Sequence, residues 1–301
     1  MWPERGAAVT DWDGHGLPPA AAARMQRFSA GGVRTSLLDV PGMTSVAAVG
    51  LPPVGEVMGC IVEHIGWQGF GGCGFYGPGA GWAAGWGSTV TSSSGARYAG
   101  YRPYVDALYR GYETALGRML LEAQAMGADG VVGVRLSVNH LGQDNREFVA
   151  LGTAVRGTGA DHPARPFVTD LPGADAAKLL HAGWVPVSIA FGISVAVRHD
   201  DFATQSQARA WGQNTEVSGY TELVQHVRAD ARERFEEHAG RAGADGAIVS
   251  SIALRIWEQE PGEGHRDHVA ESTVFGTTLA RFHKGHAAPT GALTVLPLRR
   301  L

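Results

Sequence analysis

The sequence motif Gly-Ala-Asp-Gly occurs twice in the chain, at residues 127–130 and 243–246, which lie 116 residues apart. Before each copy, apolar residues recur every three or four positions over residues 103–126 and 220–242, the period of an amphipathic helix. Glycine just after a helix supplies the left-handed backbone conformation that ends it. An apolar run typical of a strand follows each copy. The same helix–turn–strand pattern therefore occurs twice in the sequence.

The repeat extends on both sides of these helices. The further matched segments are 39–42 with 170–173, 50–54 with 183–187, and 148–155 with 273–279. The last pair consists of β-branched runs that follow turn-forming residues, as in a hairpin. The predicted order of elements is strand, helix, strand, strand, and it occurs twice.

This order predicts an α+β protein made of two tandem β-α-β-β units, each an antiparallel sheet covered by one long helix. The predicted divisions are an N-terminal extension with a short helix (1–35), unit 1 (36–156), unit 2 (167–281) and a C-terminal tail (282–301). One helix covers only one face of its sheet, so a neighbour must bury the other face. That neighbour is either the tandem copy or a subunit of an oligomer.

The repeated Gly-Ala-Asp-Gly motif is interpreted as a structural turn. Its residues are Gly127, Asp129, Gly130, Gly243, Asp245 and Gly246. An aspartate in this position favours a turn through hydrogen bonds from its side chain to the backbone. Catalysis would need a partner base or nucleophile, and the sequence supplies none at useful spacing. We therefore predict no catalytic residues and no enzyme activity.

Composition excludes several classes of protein. The net charge of −4 and the absence of basic runs argue against a nucleic-acid partner. No stretch reaches 18 apolar residues, so no membrane span is predicted. The first residues lack the features of a signal peptide, and two cysteines cannot build a disulfide framework. We expect a cytoplasmic protein with reduced thiols.

One metal site is considered. Cys60 and His64 alternate along a predicted strand, so they face one side, and Cys73 lies on the adjacent loop. A Cys/His cluster can bind a divalent metal. The competing interpretation is a buried thiol and a hydrogen-bonded histidine, because the second unit has Ile193 and Val197 at these positions. No other cofactor is predicted.

The histidines of the second unit offer a weaker metal-binding pattern. His265 and His268 lie in a predicted polar hairpin, and His283 and His286 follow the last strand. Both pairs have ligand-like spacing. We expect both to be exposed to solvent.

The first unit carries a loop over residues 66–94 that the second unit lacks, rich in glycine and aromatic residues. Its candidate contact residues are Trp67, Phe70, Phe75, Tyr76, Trp82 and Trp86. Aromatic side chains give large contact area at low entropic cost, which favours a loop for a ligand or partner. The alternative is a low-complexity loop packed over its own sheet. Its glycine-rich dinucleotide-like pattern lacks the helix that phosphate binding needs.

The segments Gly-Ala-Asp-Gly-Val-Val-Gly-Val at 127–134 and Gly-Thr-Ala-Val at 152–155 resemble the signature region of the YbjQ-like family, also named heavy-metal-binding-domain proteins. The resemblance covers residues 36–156 and 167–281, and the second unit departs from it at Ser250 and Ser251. It implies a dodecin-like fold, with one helix across a small antiparallel sheet. It also implies homo-oligomeric rings.

The sequence thus favours a non-enzymatic, cytoplasmic, oligomeric binding or scaffold protein of the YbjQ-like type. Self-association is the expected interaction, with an unknown protein or small molecule as a further partner. Two alternatives remain open. One is a metal-binding protein, and the other is a small-molecule binder whose pocket lies at the oligomer interface.

Overall fold

A computed structural model describes most of the chain. The described residues are 12–14, 16–31, 34–65, 99–100, 102–142, 144–209, 214–262 and 265–281. Within them the chain forms six helices and two four-stranded sheets, which confirms the α+β prediction. In the same residues, no helix has both the length and the apolar character that crossing a membrane requires.

The elements alternate along the chain. The first half contains α1 (Pro19–Ser29), α2 (Val40–Ala48), β1 (Pro53–His64), β2 (Ala99–Gly100), α3 (Arg102–Ala125), β3 (Gly130–His140) and β4 (Asn145–Val155). The second half contains β5 (Phe167–Val168), α4 (Gly173–His181), β6 (Trp184–His199), α5 (Phe202–Ala208), α6 (Ser218–Arg241), β7 (Gly246–Gly262) and β8 (His265–Arg281). The helices α3 and α6 agree closely with the two periodic segments of the sequence.

The three long strands follow the same order in the two sheets, β1-β4-β3 and β6-β8-β7. The first sheet runs β1-β4-β3-β5 and the second β2-β6-β8-β7. In each half, the strand before the long helix pairs antiparallel with the last strand, in the same register: Gly59 pairs with Ala150, and Gly192 pairs with Val274. The short strands β5 and β2 lie at the sheet edges, and each belongs in sequence to the other half.

A glycine in each long strand brings the helix onto the sheet. A Cβ on Gly59 would overlap the carbonyl oxygen of Ala115 in α3, and a Cβ on Gly192 would overlap that of Ala231 in α6. Since Ala115 and Ala231 are 116 residues apart, each helix crosses its strand at the same point of its length. The missing side chain sets the distance between helix and sheet.

Helix α3 lies between the two sheets. Its buried core is shared with Val57, Phe148 and Ala150 of the first sheet and with Phe191, Ile193 and Val195 of the second. Helix α6 packs on the opposite face of the second sheet, against Ala190 and Val274. Therefore the second sheet is covered on both faces, by its own helix and by the helix of the first half.

Short helices that the sequence pattern did not predict precede the first strand of each half. Helix α2 starts at Val40, after its N-cap Asp39, whereas α4 starts at Gly173, after Pro172. The matching of segment 39–42 with 170–173 was therefore wrong by two residues, because Asp39 takes the position of Pro172 rather than that of Asp170. The loop 66–94 and the tail 282–301 lie outside the described residues.

Replacing either close-approach glycine tests this packing. We expect Gly59→Ala and Gly192→Ala each to lower the free energy of unfolding by at least about 2 kcal/mol, because backbone atoms of the helix cannot yield to a methyl group. Denaturant titration followed by circular dichroism measures the change.

The matched controls are Gly117→Ala in α3 and Gly240→Ala in α6, where a Cβ would meet nothing within 4 Å. These exposed helical positions should gain about 0.5–1 kcal/mol from the better helix former. Equal effects at the four glycines would contradict the packing described.

Candidate functional site

The interface between the halves is built around aromatic rings. Tyr109 and Tyr112 of α3 meet Phe191 of the second sheet with ring centroids 5.2 and 5.8 Å apart. Tyr112 also packs edge-on against Phe148 of its own sheet, at 5.1 Å, and against Phe275 of the other, at 5.0 Å. Such edge-to-face contacts add to the burial of apolar surface. The rings join both sheets through a single helix.

The hydroxyl groups of this interface satisfy buried polar groups. The Ile193 N–H on the edge of β6 donates to the Tyr109 hydroxyl at 3.0 Å, and the Tyr104 hydroxyl donates to Glu271 at 2.7 Å. Burial raises the pKa of Tyr104, Tyr109 and Tyr112 above the usual value. The three phenols therefore stay neutral at physiological pH, and those of Tyr104 and Tyr109 act as hydrogen-bonding groups.

A segment of the second half extends the first sheet. Residues 167–171, here called the docking segment, run along the outer edge of β3. The backbone bonds are Phe167 N–H to Asp129 at 3.0 Å, Thr169 N–H to Val131 at 3.0 Å, Val134 N–H to Thr169 at 3.0 Å and Gly133 N–H to Leu171 at 3.1 Å. Helix α4 follows directly and buries Ala176 against Val132 and Val155.

The exchange between the halves is reciprocal. Strand β2 of the first half pairs antiparallel with β6 of the second, at Ala196 and Val197. Each half therefore donates a short strand to a sheet edge of the other. Strand addition of this kind gives affinity through main-chain hydrogen bonds.

A cleft of about 1860 Å³ lies between α3, α6 and the start of β6. Its polar wall includes Glu113, Asp230 and Arg234. Asp230 is buried, accepts a hydrogen bond from the Ser194 hydroxyl, and lies 3.2 Å from Arg234. The buried acid is thus held by a cation and a hydroxyl, an arrangement that suits a structural ion pair or the binding of a polar ligand.

The structure does not bring Cys60 and His64 together. Both lie on β1, and four residues along a strand separate their Cα atoms by about 13 Å, beyond what one metal ion bridges through these side chains. His64 Nδ1 lies 3.2 Å from Asn145 Oδ1. The described residues hold no cluster of three or more His, Cys, Asp or Glu side chains that fits a metal. The third candidate ligand, Cys73, lies outside the described residues.

The candidate aromatic contacts of the 66–94 loop also lie outside the described residues. They are Trp67, Phe70, Phe75, Tyr76, Trp82 and Trp86. Their role as a ligand or partner loop stays a prediction.

One histidine expected to be exposed is buried. His268 lies within β8, with its Nδ1 2.9 Å from Asp200 Oδ1 and its Nε2 3.2 Å from Glu258 Oε1. Tyr220 donates to the same Asp200 at 3.0 Å. The prediction of a solvated turn at His268 was wrong, because the hairpin is longer than the sequence suggested and its arm packs against α6.

Sequence reasoning missed this polar cluster entirely. Its members come from α6, β7, β8 and the residue that follows β6, so no local spacing reveals it. The sequence signal for this cluster was two dipeptides of histidine and aspartate, His199-Asp200 and Asp267-His268. They lie at the ends of strands that pair in the second sheet. His199 Nδ1 lies 2.6 Å from Asp267 Oδ1.

The repeated turn residues occupy equivalent places in the two halves. Gly127 and Gly243 have φ values of 67° and 68°, in the left-handed region. Asp129 accepts a hydrogen bond from the Gly157 N–H at 2.6 Å, and Asp245 accepts one from the Arg281 N–H at 2.9 Å. Each aspartate thus joins the turn after its helix to the end of the last strand. Gly130 and Gly246 start β3 and β7.

The family model described as "Putative heavy-metal-binding" matches residues 78–158, which confirms the family resemblance for that part of the first half. Shorter similarities occur to UPF0145 proteins of Psychrobacter arcticus and Halorubrum lacusprofundi, each 40% identical over 53 residues and 18% of this chain. These matches cover 34% and 51% of those relatives.

A longer similarity covers nearly the whole chain. The protein named "Encapsulin nanocompartment protein Rv1762c" of Mycobacterium tuberculosis is 31% identical over 285 residues, which are 89% of this chain and 93% of that protein. The chain therefore belongs to the family of this mycobacterial protein. A relative that spans both halves was not predicted from the sequence.

The Tyr109 hydroxyl gives a test of the interface between the halves. We expect Tyr109→Phe to cost about 1–3 kcal/mol of unfolding free energy, because it leaves the Ile193 N–H on the edge of β6 without its acceptor. Tyr112→Phe is the control, since the Tyr112 hydroxyl makes no hydrogen bond to a described residue and the ring contacts are kept. Equal stabilities of the two variants, measured by thermal and chemical denaturation, would contradict this role.

Proposed function

We propose that this protein is a non-enzymatic scaffold that works by self-association in the cytoplasm, and that its two halves are tandem copies of one dodecin-like unit. The observation that carries the proposal is a difference between matched strands. The start of β3 is covered by the other half, whereas the start of β7 is open among the described residues. An open sheet edge of this kind is a template for pairing with another chain.

Matched contacts support the tandem units. The N–H of Met58 on β1 donates to Glu122 of α3 at 2.8 Å, and the N–H of Phe191 on β6 donates to His238 of α6 at 3.3 Å. Glu122 and His238 are 116 residues apart, as are the two helices. The same helix position therefore accepts a hydrogen bond from the same strand position in both halves, through a carboxylate in one half and an imidazole in the other.

The exposure of the matched strands supports self-association. Val131, Val132 and Val134 in β3 are at most 3% exposed. Of their counterparts 116 residues later, at the start of β7, Ala247 and Ser250 are exposed. Natural proteins generally protect such an edge, and a covering partner is one way to do so.

The name of the mycobacterial relative also supports an assembly role. That protein is named for an encapsulin nanocompartment. We extend to this chain only the inference of a role within a larger assembly. In this proposal the turn residues have a structural role, since they join each long helix to its sheet. They are Gly127, Asp129, Gly130, Gly243, Asp245 and Gly246.

A second candidate is the binding of a small polar molecule in the cleft between the halves. The buried Asp230, held by Ser194 and Arg234, favours this candidate, because it places fixed charges beside an open space of about 1860 Å³. The metal-binding alternative is supported by the description of the matching family.

The oligomeric state tests the main proposal. One chain has a mass of 31.7 kDa. Size-exclusion chromatography with light scattering should give a mass that is a multiple of this value at micromolar concentration, and dilution should shift it towards one chain. A mass of one chain at all concentrations up to the millimolar range would contradict self-association.

A further inference from the structure

We infer that copies of this chain join head to tail, with the β7 edge of one copy receiving residues 34–43 of the next copy. This inference rests on the proposed self-association and names its surfaces. The contact would repeat between chains the one that the docking segment and α4 make with β3 inside the chain. The β7 edge lies in the second half and residues 34–43 lie in the first half, so each copy carries both surfaces.

The receiving side is the start of β7, residues 246–252, here called the acceptor edge. It ends the strand order of the second sheet, with no further strand among the described residues. Val249 and Ile252 are 47% and 46% exposed. In β3 the backbone bonds to the docking segment come from Gly133 and Val134, which match Val249 and Ser250. The acceptor edge thus presents the same strand positions without a partner strand in the described part of the chain.

The entering side is residues 34–43, here called the donor segment. Helices α2 and α4 both have nine residues and start at Val40 and Gly173, so the donor segment matches residues 167–176. Leu37 N–H donates to Thr153 at 3.0 Å, and Asp170 N–H donates to Thr277 at 3.2 Å. The two segments therefore sit on equivalent threonines of β4 and β8.

Helix α2, at the end of the donor segment, exposes positions that are buried in α4. Ala176 of α4 is 1% exposed, because it packs against Val132 and Val155. Its counterpart Met43 is 40% exposed, and Val40 at the start of α2 is 71% exposed. Helix α2 thus presents apolar side chains at positions that α4 buries. An apolar surface of this kind, next to a segment that matches the docking segment, fits a sheet edge of matching geometry.

The register of the internal contact predicts the pairs between chains. Met43 would meet Ile248 of the next copy, the counterpart of Val132. Arg34 takes the place of Phe167, whose N–H bonds to Asp129 inside the chain. It would therefore lie beside Asp245, the counterpart of Asp129. Both side chains are exposed, and their opposite charges favour this alignment over a shifted one.

The reciprocal strand exchange gives a second contact in the same direction. The counterparts of β2 are residues 215–216, which precede α6, and the counterparts of Ala196 and Val197 are Glu63 and His64 on β1. The edge of β1 at these residues is open among the described residues. Both contacts thus link the second half of one copy to the first half of the next.

A head-to-tail contact differs in its consequences from a two-fold contact. Its two surfaces are unlike, so repetition gives a ring if the rotation closes and a filament if it does not. A defect in one surface leaves the other surface able to bind. A two-fold contact uses one patch twice, and any defect in it affects both partners.

Two complementary variants test this directly. Met43→Asp alters the donor segment, and Val249→Asp alters the acceptor edge. At a concentration where the unaltered protein assembles, each variant alone should give the mass of a single chain in light scattering. An equal mixture should give a species of twice that mass and nothing larger, because one intact donor meets one intact acceptor.

Phe202→Asp is the matched control, since Phe202 is 87% exposed on α5 and belongs to neither surface. It should assemble like the unaltered protein. If both single variants also assemble normally, self-association stands but this interface is wrong. A single-chain mass for the unaltered protein would overturn the proposed self-association as well.

Cysteine pairs keep the test valid if an aspartate disturbs folding. Met43→Cys and Ile248→Cys proteins are mixed under mild oxidation, and the disulfide-linked dimers are separated on non-reducing gels. A linked dimer should form in the mixture and exceed at least tenfold that formed by either protein alone. Equal yields in the mixture and in the separate proteins would overturn the inference.

Discussion

The structure depends on one constraint: a sheet has two faces, and each half of this chain supplies one long helix. Helix α3 meets the constraint for the second sheet, because it packs against its own sheet on one side and against Phe191, Ile193 and Val195 on the other. Helix α6 covers the opposite face of that sheet. Burial of apolar surface on both sides of α3 is therefore what holds the halves together.

The same constraint explains a difference between the two long helices. The side of α3 that faces the second sheet carries Tyr109 and Tyr112, whereas the matching positions of α6 are Gln225 and Arg228, both exposed. Aromatic rings thus lie on the helix face that packs against a second sheet, and polar side chains lie on the exposed face. The strand edges show the opposite pattern, since the acceptor edge keeps Val249 and Ile252 exposed. Polar character thus protects the open helix face, while the open strand edge stays apolar.

Much of the fold could be predicted from the sequence. The glycines that end the long helices, Gly127 and Gly243, and the period of the apolar residues located α3 and α6 to within two residues. Helices α2 and α4 were missed because nine residues give too few turns for a period to show, and Pro41 and Gly42 near the start of α2 are typical of a turn.

The site was less predictable, for physical reasons. The exchange between the halves depends on the short strands β2 and β5, whose two-residue lengths carry no pattern of their own. The cluster around His268 draws Asp200, Tyr220 and Glu258 from three other segments, so its chemistry exists only after folding. Cys60 and His64 share a face, as alternation requires, yet the extended backbone holds them too far apart for one ion.

Hydrogen exchange of the backbone amides tests the account most directly, because it compares the two matched strand edges within one molecule. Amides of residues 130–134 should exchange slowly at every protein concentration, since the docking segment covers them inside the chain. The amides of Val249 and Ser250, the counterparts of Gly133 and Val134, should exchange rapidly in dilute solution and become protected as concentration rises. Exchange at these two amides that does not change over a hundredfold range of concentration would contradict the account.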